Sequence, residues 1–172
     1  KGRLVHSEEW PEDIDYTDQN VPVIGSGATA ATIVPNLCDK AAHVTMLQRS
    51  PTFFRTGRNA IEIADHLRKL EVDETWIHEI VRKKILHDQA QITQMSAEHP
   101  EMVKEELFSG VREYLGQDYD VSPHFSPSYR PWRQRIAFVP EGDLFQSIAK
   151  GDASVVTDEI ERFTETGLVL KS

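Results

Sequence analysis

The stretch VPVIGSGATAATIVPNL, Val21 to Leu37, runs apolar, turns on two glycines one residue apart, and continues with the composition of a helix. Val21–Ile24 reads as a short buried strand and Ala28–Leu37 as a helix, with Gly25-Ser26-Gly27-Ala28-Thr29-Ala30 between and into them as a G-x-G-x-x-A. Each small residue has a physical task. Gly25 permits the tight turn, Gly27 lets backbone approach a pyrophosphate with no Cβ in the way, and Ala30 lets helix and strand pack closely. The helix N-terminus then aims unpaired N–H groups and the positive end of its dipole at the phosphates. Downstream, His43–Leu47 (HVTML) reads as a second strand. Strand, glycine turn, helix and strand make a βαβ unit, whose strands are predicted to be parallel with a right-handed crossover. That context selects a dinucleotide turn over a bland connection. Pro22 has no ladder donor and must stand at the strand's first residue or face a side without a partner, while Pro35 must bend or shorten the last helical turn.

The end of the second strand selects the nucleotide. An NAD site places Asp or Glu there to hold the ribose 2′-hydroxyl, whereas a 2′-phosphate needs cation and donors. Here the strand ends in Gln48, Arg49 and Ser50. No carboxylate follows the strand, Arg49 offers a planar fork for phosphate oxygens, and Ser50 adds a hydroxyl donor. NADP is the nucleotide these residues fit.

Outward from this unit, the chain is predicted as an α/β, Rossmann-like dinucleotide-binding domain with a mainly helical insertion. Residues 1–20 are polar and read as a linker. Residues 21–58 and 116–172 form the nucleotide-binding domain, and 59–115 the insertion. In the insertion Ala60, Ile63, Ala64 and Leu67 share a face, as do Ile77, Ile80 and Val81, and Val103, Leu107, Val111 and Tyr114. Pro100 suits a first helical turn and Gly116 a C-terminal cap. GQDYDVSPHFSPSYRPWRQR reads as a loop, Leu144–Ala149 as a short helix ended by Gly151, Ser154–Thr157 as a strand, and EIERFTETGLVLKS as a hairpin. Trp76 and Trp132 read as core residues.

Composition excludes several classes. Over 172 residues, 39% hydrophobic, the net charge is −9, so no basic surplus exists to bind nucleic acid. No apolar run reaches the ~20 residues of a membrane span, and the single Cys38 forbids an internal disulfide and fits a reducing, cytoplasmic setting. The seven histidines have no metal-binding spacing, and no G-x-S-x-G elbow occurs.

Further residues carry a resemblance. KGRLVHSEEWP matches the last eleven positions of the F-x-G-x-x-x-H-x-x-x-W-P fingerprint of the Baeyer–Villiger monooxygenases, with Gly2, His6, Trp10 and Pro11 at the fingerprint spacings. With VIGSGATA and HVTMLQRSP behind it, the chain resembles the NADP domain of that flavin-dependent family along nearly its whole length. PWRQR and VPEGDLF look closest to the branch that includes the mycobacterial monooxygenase activating thioamide prodrugs.

The resemblance implies NADP in this domain, FAD in a flavin-binding domain elsewhere in a parent chain, and insertion of one oxygen atom into a ketone or oxidation of a sulfur-containing substrate. It also implies an arginine beside the flavin that favours reduction and balances negative charge during oxygenation. Arg135 is the matching residue, with Arg130 and Arg133 as competitors, and Gln134 stands where some relatives carry lysine. The fingerprint His6 is implied to link domains rather than to do chemistry. A first G-x-G-x-x-G for FAD is absent, and the family continues beyond GLVLKS into another strand. The chain is therefore expected to be an excised domain, inactive alone. The alternatives are a free-standing dinucleotide-binding or sensor module, and the NADP domain of a related flavoprotein N-hydroxylase or reductase. No metal, nucleic-acid or membrane partner is expected.

Overall fold

The apolar run, glycine turn and helix fold as read. In the computed structural model, which describes residues 2–172, β1 is Asn20–Ile24, α1 is Ala28–Leu37 and β2 is His43–Gln48. β1 and β2 pair in parallel, and β5 (Ala153–Thr157) pairs in parallel with the far side of β2, giving a sheet of order β1-β2-β5. The Gly25 amide donates to the Leu47 carbonyl at 2.8 Å. Alternation along the strand therefore turns the Val23 and Val21 amides toward β2 and the Pro22 nitrogen toward the open edge. Pro35 sits inside α1, which ends two residues later at Leu37.

One face of this sheet carries the core. Ala31, Val34 and Leu37 of α1 meet Val44 and Met46 of β2 and Ala153 of β5, with Leu144 and Phe145 of α6 (Asp143–Lys150) closing the layer. Three buried phenylalanines lock distant segments together. Phe54, Phe125 and Phe145 stand edge to face, with centroids 5.9, 5.8 and 5.4 Å apart. Each such pair adds about 0.5–1.5 kcal/mol beyond burial itself.

The helical stretch comprises α2 (Glu62–Lys69), α3 (Glu74–Glu98) and α4 (Pro100–Leu115). Pro100 occupies the first turn of α4, and Gly116 caps it at φ 108°. The spacing Val103, Leu107, Val111 is the buried face of α4, and Val111 packs into the same core as α1. α3 is different: across its 25 residues only Ile77 and Ser96 are buried. Trp76 lies on it 66% exposed, so the reading of this tryptophan as core is corrected. Asp73 anchors the α3 N-terminus, accepting from the Thr75 amide at 2.9 Å.

A second sheet and a short helix go beyond the sequence reading. β3 (Phe54–Gly57) pairs in parallel with β4 (Ala137–Pro140), a small second sheet joining segments some eighty residues apart. Four-residue strands carry too little periodicity to be read, and Arg55 is exposed where it stands over the Phe138 ring. The Pro/Ser-rich segment also contains a short helix, α5 (Ser122–Phe125), with Val121 and Phe125 buried in the main core. The hairpin at the end is β6 (Ile160–Phe163) against β7 (Leu168–Leu170). The whole is an α/β fold with parallel sheets, 43% helical and 18% strand.

Candidate functional site

The C-terminal ends of β1, β2 and β5 converge on one edge, where ligands of open parallel sheets bind. Gly25 stands at φ 123°, a conformation that L side chains rarely adopt. Gly27 is the N-cap of α1 at φ −76°, and a Cβ built on it meets nothing within 4 Å. The first helical hydrogen bond runs from the Ala31 amide to the Gly27 carbonyl at 3.0 Å. The amides of Ala28, Thr29 and Ala30 thus precede the ladder and are the helix's orphan donors. No acidic residue occupies this first turn and no side chain caps it. Ala30 is buried against the sheet, while Ala28 and Thr29 are exposed. Open space, three donors and the positive dipole end make a cradle for an anion of pyrophosphate size.

Ser26 is held by a residue that the sequence did not single out. Its Oγ shares a hydrogen bond of 2.8 Å with Thr52 Oγ1, tying the segment after β2 to the glycine turn. No local pattern marks Thr52; only the folded path does.

Gln48 behaves differently from its neighbours. Arg49 and Ser50 are exposed at the end of β2, but Gln48 is 1% exposed and points inward. Its Nε2 donates to the His124 carbonyl at 2.6 Å and to Thr157 Oγ1 at 2.9 Å, which fixes the amide orientation because a carbonyl can only accept. Thr157 Oγ1 in turn shares a hydrogen bond of 2.8 Å with His124 Nδ1. Burial pushes the His124 pKa down, partly opposed by Asp120, in keeping with a neutral ring. Gln48 Oε1 is buried with no partner. Gln48 therefore clamps β2, β5 and α5 together and, being buried, does not present its side chain at the site edge.

A carboxylate reaches this edge from elsewhere in the chain. Glu159, just beyond β5, has its pKa lowered first by its hydrogen bond to Lys171 and also by Arg49. The absence of acid after β2, read from the linear sequence, is thus a local statement.

The arginine segment lies before β4. Arg130 donates to the Ser96 carbonyl at 3.2 Å, tying the segment to α3. Arg133 and Arg135 are exposed, and among the described residues neither guanidinium forms a hydrogen bond or ion pair. Trp132, between Arg130 and Arg133, takes φ 60° and keeps its Nε1 buried without a partner. A cavity of about 250 Å³ opens beside it, between α3, α4 and β3.

The fingerprint residues do not join the glycine turn. Gly2 is exposed; His6 caps a single 3-10 turn, its Nδ1 accepting from the Glu8 amide at 3.3 Å. Trp10, 43% exposed, meets Tyr16 edge to face at 6.2 Å, and Pro11 is half-buried. The segment that follows is tied through Asp18 to the Lys40 carbonyl at 2.9 Å, at the end of α1 opposite the glycine turn. Among the described residues no group of three metal-ligating side chains occurs, and no helix is long and apolar enough to cross a membrane.

A glycine turn opening a helix between parallel strands, with free helix amides at the strand ends, is the form of a Rossmann-like dinucleotide-binding fold. Along one stretch of their length the chain is similar to FAD-containing monooxygenases. It is 45% identical over 172 residues to the FAD-containing monooxygenase EthA of Mycobacterium tuberculosis, covering 99% of this chain and 35% of EthA. To the "Probable FAD-binding monooxygenase AlmA" of Acinetobacter baylyi it is 43% identical over 173 residues, covering 100% of this chain and 34% of AlmA. The chain thus spans about a third of the length of the curated relatives it matches. No protein-family model matches it. Among solved structures, an oxidised steroid monooxygenase bound to NADP superposes with a TM-score of 0.70 at 18% identity, covering 100% of this chain and 40% of that one. At that identity the likeness concerns the fold alone.

Proposed function

We propose that this chain is the NADP(H)-binding part of a FAD-dependent monooxygenase that oxygenates a ketone or a soft heteroatom such as sulfur. The observation that carries the reading is the glycine turn: an N-cap at Gly27 with open space where a Cβ would stand, facing three orphan amides. Arg49 and Ser50 at the adjacent strand end supply cation and hydroxyl for a 2′-phosphate. The sequence similarity to FAD-containing monooxygenases supports the flavin as the group that receives reducing equivalents.

On this reading Gly25, Gly27 and the amides of Ala28–Ala30 hold the pyrophosphate, and Ser26 is oriented by Thr52. Bound NADPH supplies a hydride. The chain's own residues orient the nucleotide and place a fixed positive charge, from Arg135, toward the flavin-binding part of the parent chain. A guanidinium keeps its charge at any working pH, so it balances negative charge without a proton moving. Residues 21–58 and 116–172 form the nucleotide-binding unit in this assignment, with 59–115 inserted and 1–20 linking to the flavin part through His6 and Trp10. A lone cysteine and a nicotinamide nucleotide both suit the cytoplasm.

The test is a calorimetric titration with NADPH and NADH. The chain is expected to prefer NADPH, and Arg49→Ala to remove most of that preference. Loss of one charge-assisted phosphate contact is about 1.5–3 kcal/mol, roughly tenfold to a hundredfold. Equal affinity for both nucleotides in the unsubstituted chain refutes the assignment.

A further inference from the structure

The turn leaving β5 brings charges to the nucleotide edge that lie far apart in sequence. β2 and β5 are in register as far as Gln48 and Thr157, and the Asp158 amide donates to the Gln48 carbonyl at 2.9 Å. Asp158 and Glu159 therefore continue alongside Arg49 and Ser50. The chain returns here after β7: the Lys171 amide donates to the Glu159 carbonyl at 3.0 Å, and the Lys171 ammonium is bonded to the Glu159 carboxylate. Asp158 is already engaged, its Oδ2 accepting from the Ser172 amide at 3.1 Å and the Ser172 hydroxyl at 2.5 Å, and its Oδ1 from the Glu159 amide at 2.7 Å. Lys171 and Glu159 are both more than half exposed. An ion pair so exposed contributes little to stability, so stability does not explain the arrangement.

Charge counting does. A ribose 2′-phosphate carries about −1.5 to −2 near neutral pH, and one guanidinium leaves that charge partly unbalanced. We propose that Lys171 is a second cation for the 2′-phosphate, held by Glu159 at the strand-end edge that carries Arg49 until a phosphorylated nucleotide displaces the carboxylate. The more highly charged phosphate outcompetes the single carboxylate for the ammonium. A plain ribose 2′-hydroxyl has no charge with which to do so. Glu159 and Lys171 thereby become specificity-determining residues, contributed by the hairpin rather than by the strand end. This inference rests on the reading of the chain as NADP-binding.

The experiment titrates the full chain with adenosine 2′,5′-bisphosphate and with 5′-AMP, which differ only in the 2′-phosphate. Lys171→Gln is expected to weaken the bisphosphate roughly threefold to tenfold at low salt, less at high salt, and to leave 5′-AMP unchanged. Glu159→Gln is expected to tighten the bisphosphate. The double substitution decides the role of the lysine. If Lys171 touches the phosphate, Lys171→Gln still weakens binding in the Glu159→Gln background. If it is silent there, Lys171 only neutralises Glu159 and the inference is overturned. An equal loss for both ligands overturns it too, since the effect is then not on the 2′-phosphate. A failure of the underlying reading looks different: the unsubstituted chain shows no preference for the bisphosphate, or Arg49→Ala leaves that preference intact. Both exposed side chains can be changed without opening the core, and unaltered thermal melts of the variants check that they fold.

Discussion

On the proposed reading Gly25 and Gly27 serve separate ends: Gly25 takes a backbone angle that L side chains rarely adopt, and Gly27 leaves open the space through which a pyrophosphate would approach. Gly27 at φ −76° would accept any residue as far as the chain is concerned. Gly27→Val is therefore expected to fold with an unchanged melting temperature yet lose nucleotide binding, because its branched side chain fills the phosphate's approach. Unchanged titration by the folded variant would show the turn to be structural only. Arg135 invites a second substitution, in the full-length parent. Arg135→Ala is expected to leave NADPH bound but lower product formation by two to three decades, on the order of 3–4 kcal/mol for one electrostatic donor in a closed site. The decisive comparison is Arg133→Ala: if that variant fails while Arg135→Ala turns over normally, the role belongs two residues earlier.

Between elements, the buried hydrogen bonds at the ends of β2 and β5 govern how the site edge is held. Gln48, Thr157 and His124 link β2, β5 and α5 by side chains that were read separately, or not at all. The folded pKa of His124 lies below the ordinary value of about 6.5 because burial disfavours the charged ring. The unfolded chain therefore binds a proton there more readily than the folded one. This group's contribution to stability is present above about pH 6.5 and is lost as pH falls through the lower, folded pKa. Urea midpoints at pH 7.5 and 5.5 should differ, and the difference should shrink in His124→Gln. Comparing the two proteins removes the share due to Asp120 and Asp158, whose lowered pKa values also cost stability in acid. A difference of the same size in both proteins would mean that His124 titrates no differently in the two states.

At the scale of the molecule, the two long helices, α3 and α4, are buried to different degrees. α4 places Val111 in the core shared with α1 and β2, whereas α3 is exposed along most of its length and carries Trp76, Ile85 and Leu86 outward. Amide hydrogen exchange should accordingly protect α4 with the central sheet and leave α3 to exchange by local opening. Val111→Ala should lower global stability by about 2 kcal/mol, from two lost methyl groups and the void they leave. Ile85→Ala on α3 should change it by less than about 0.5 kcal/mol. Equal protection of α3 and α4 would contradict this division.

The βαβ unit was legible because everything that makes it is local. Strand alternation, two glycines at the turn, small residues on the helix and a second apolar run act within about thirty residues, and the ends of α1 fell where read. The same holds for the buried stripe of α4 and for Gly151, which ends α6 at φ 87°. The β3–β4 pairing, the Ser26–Thr52 bond, the inward turn of Gln48 and the meeting of Glu159 and Lys171 at the end of β2 and β5 were not legible. Each joins residues that no spacing rule connects, and each exists only because strand pairing and closure of the core bring their segments together. A linear sequence states which groups can bind a phosphate. Which charges stand beside it is decided when distant strand ends are forced to the same edge.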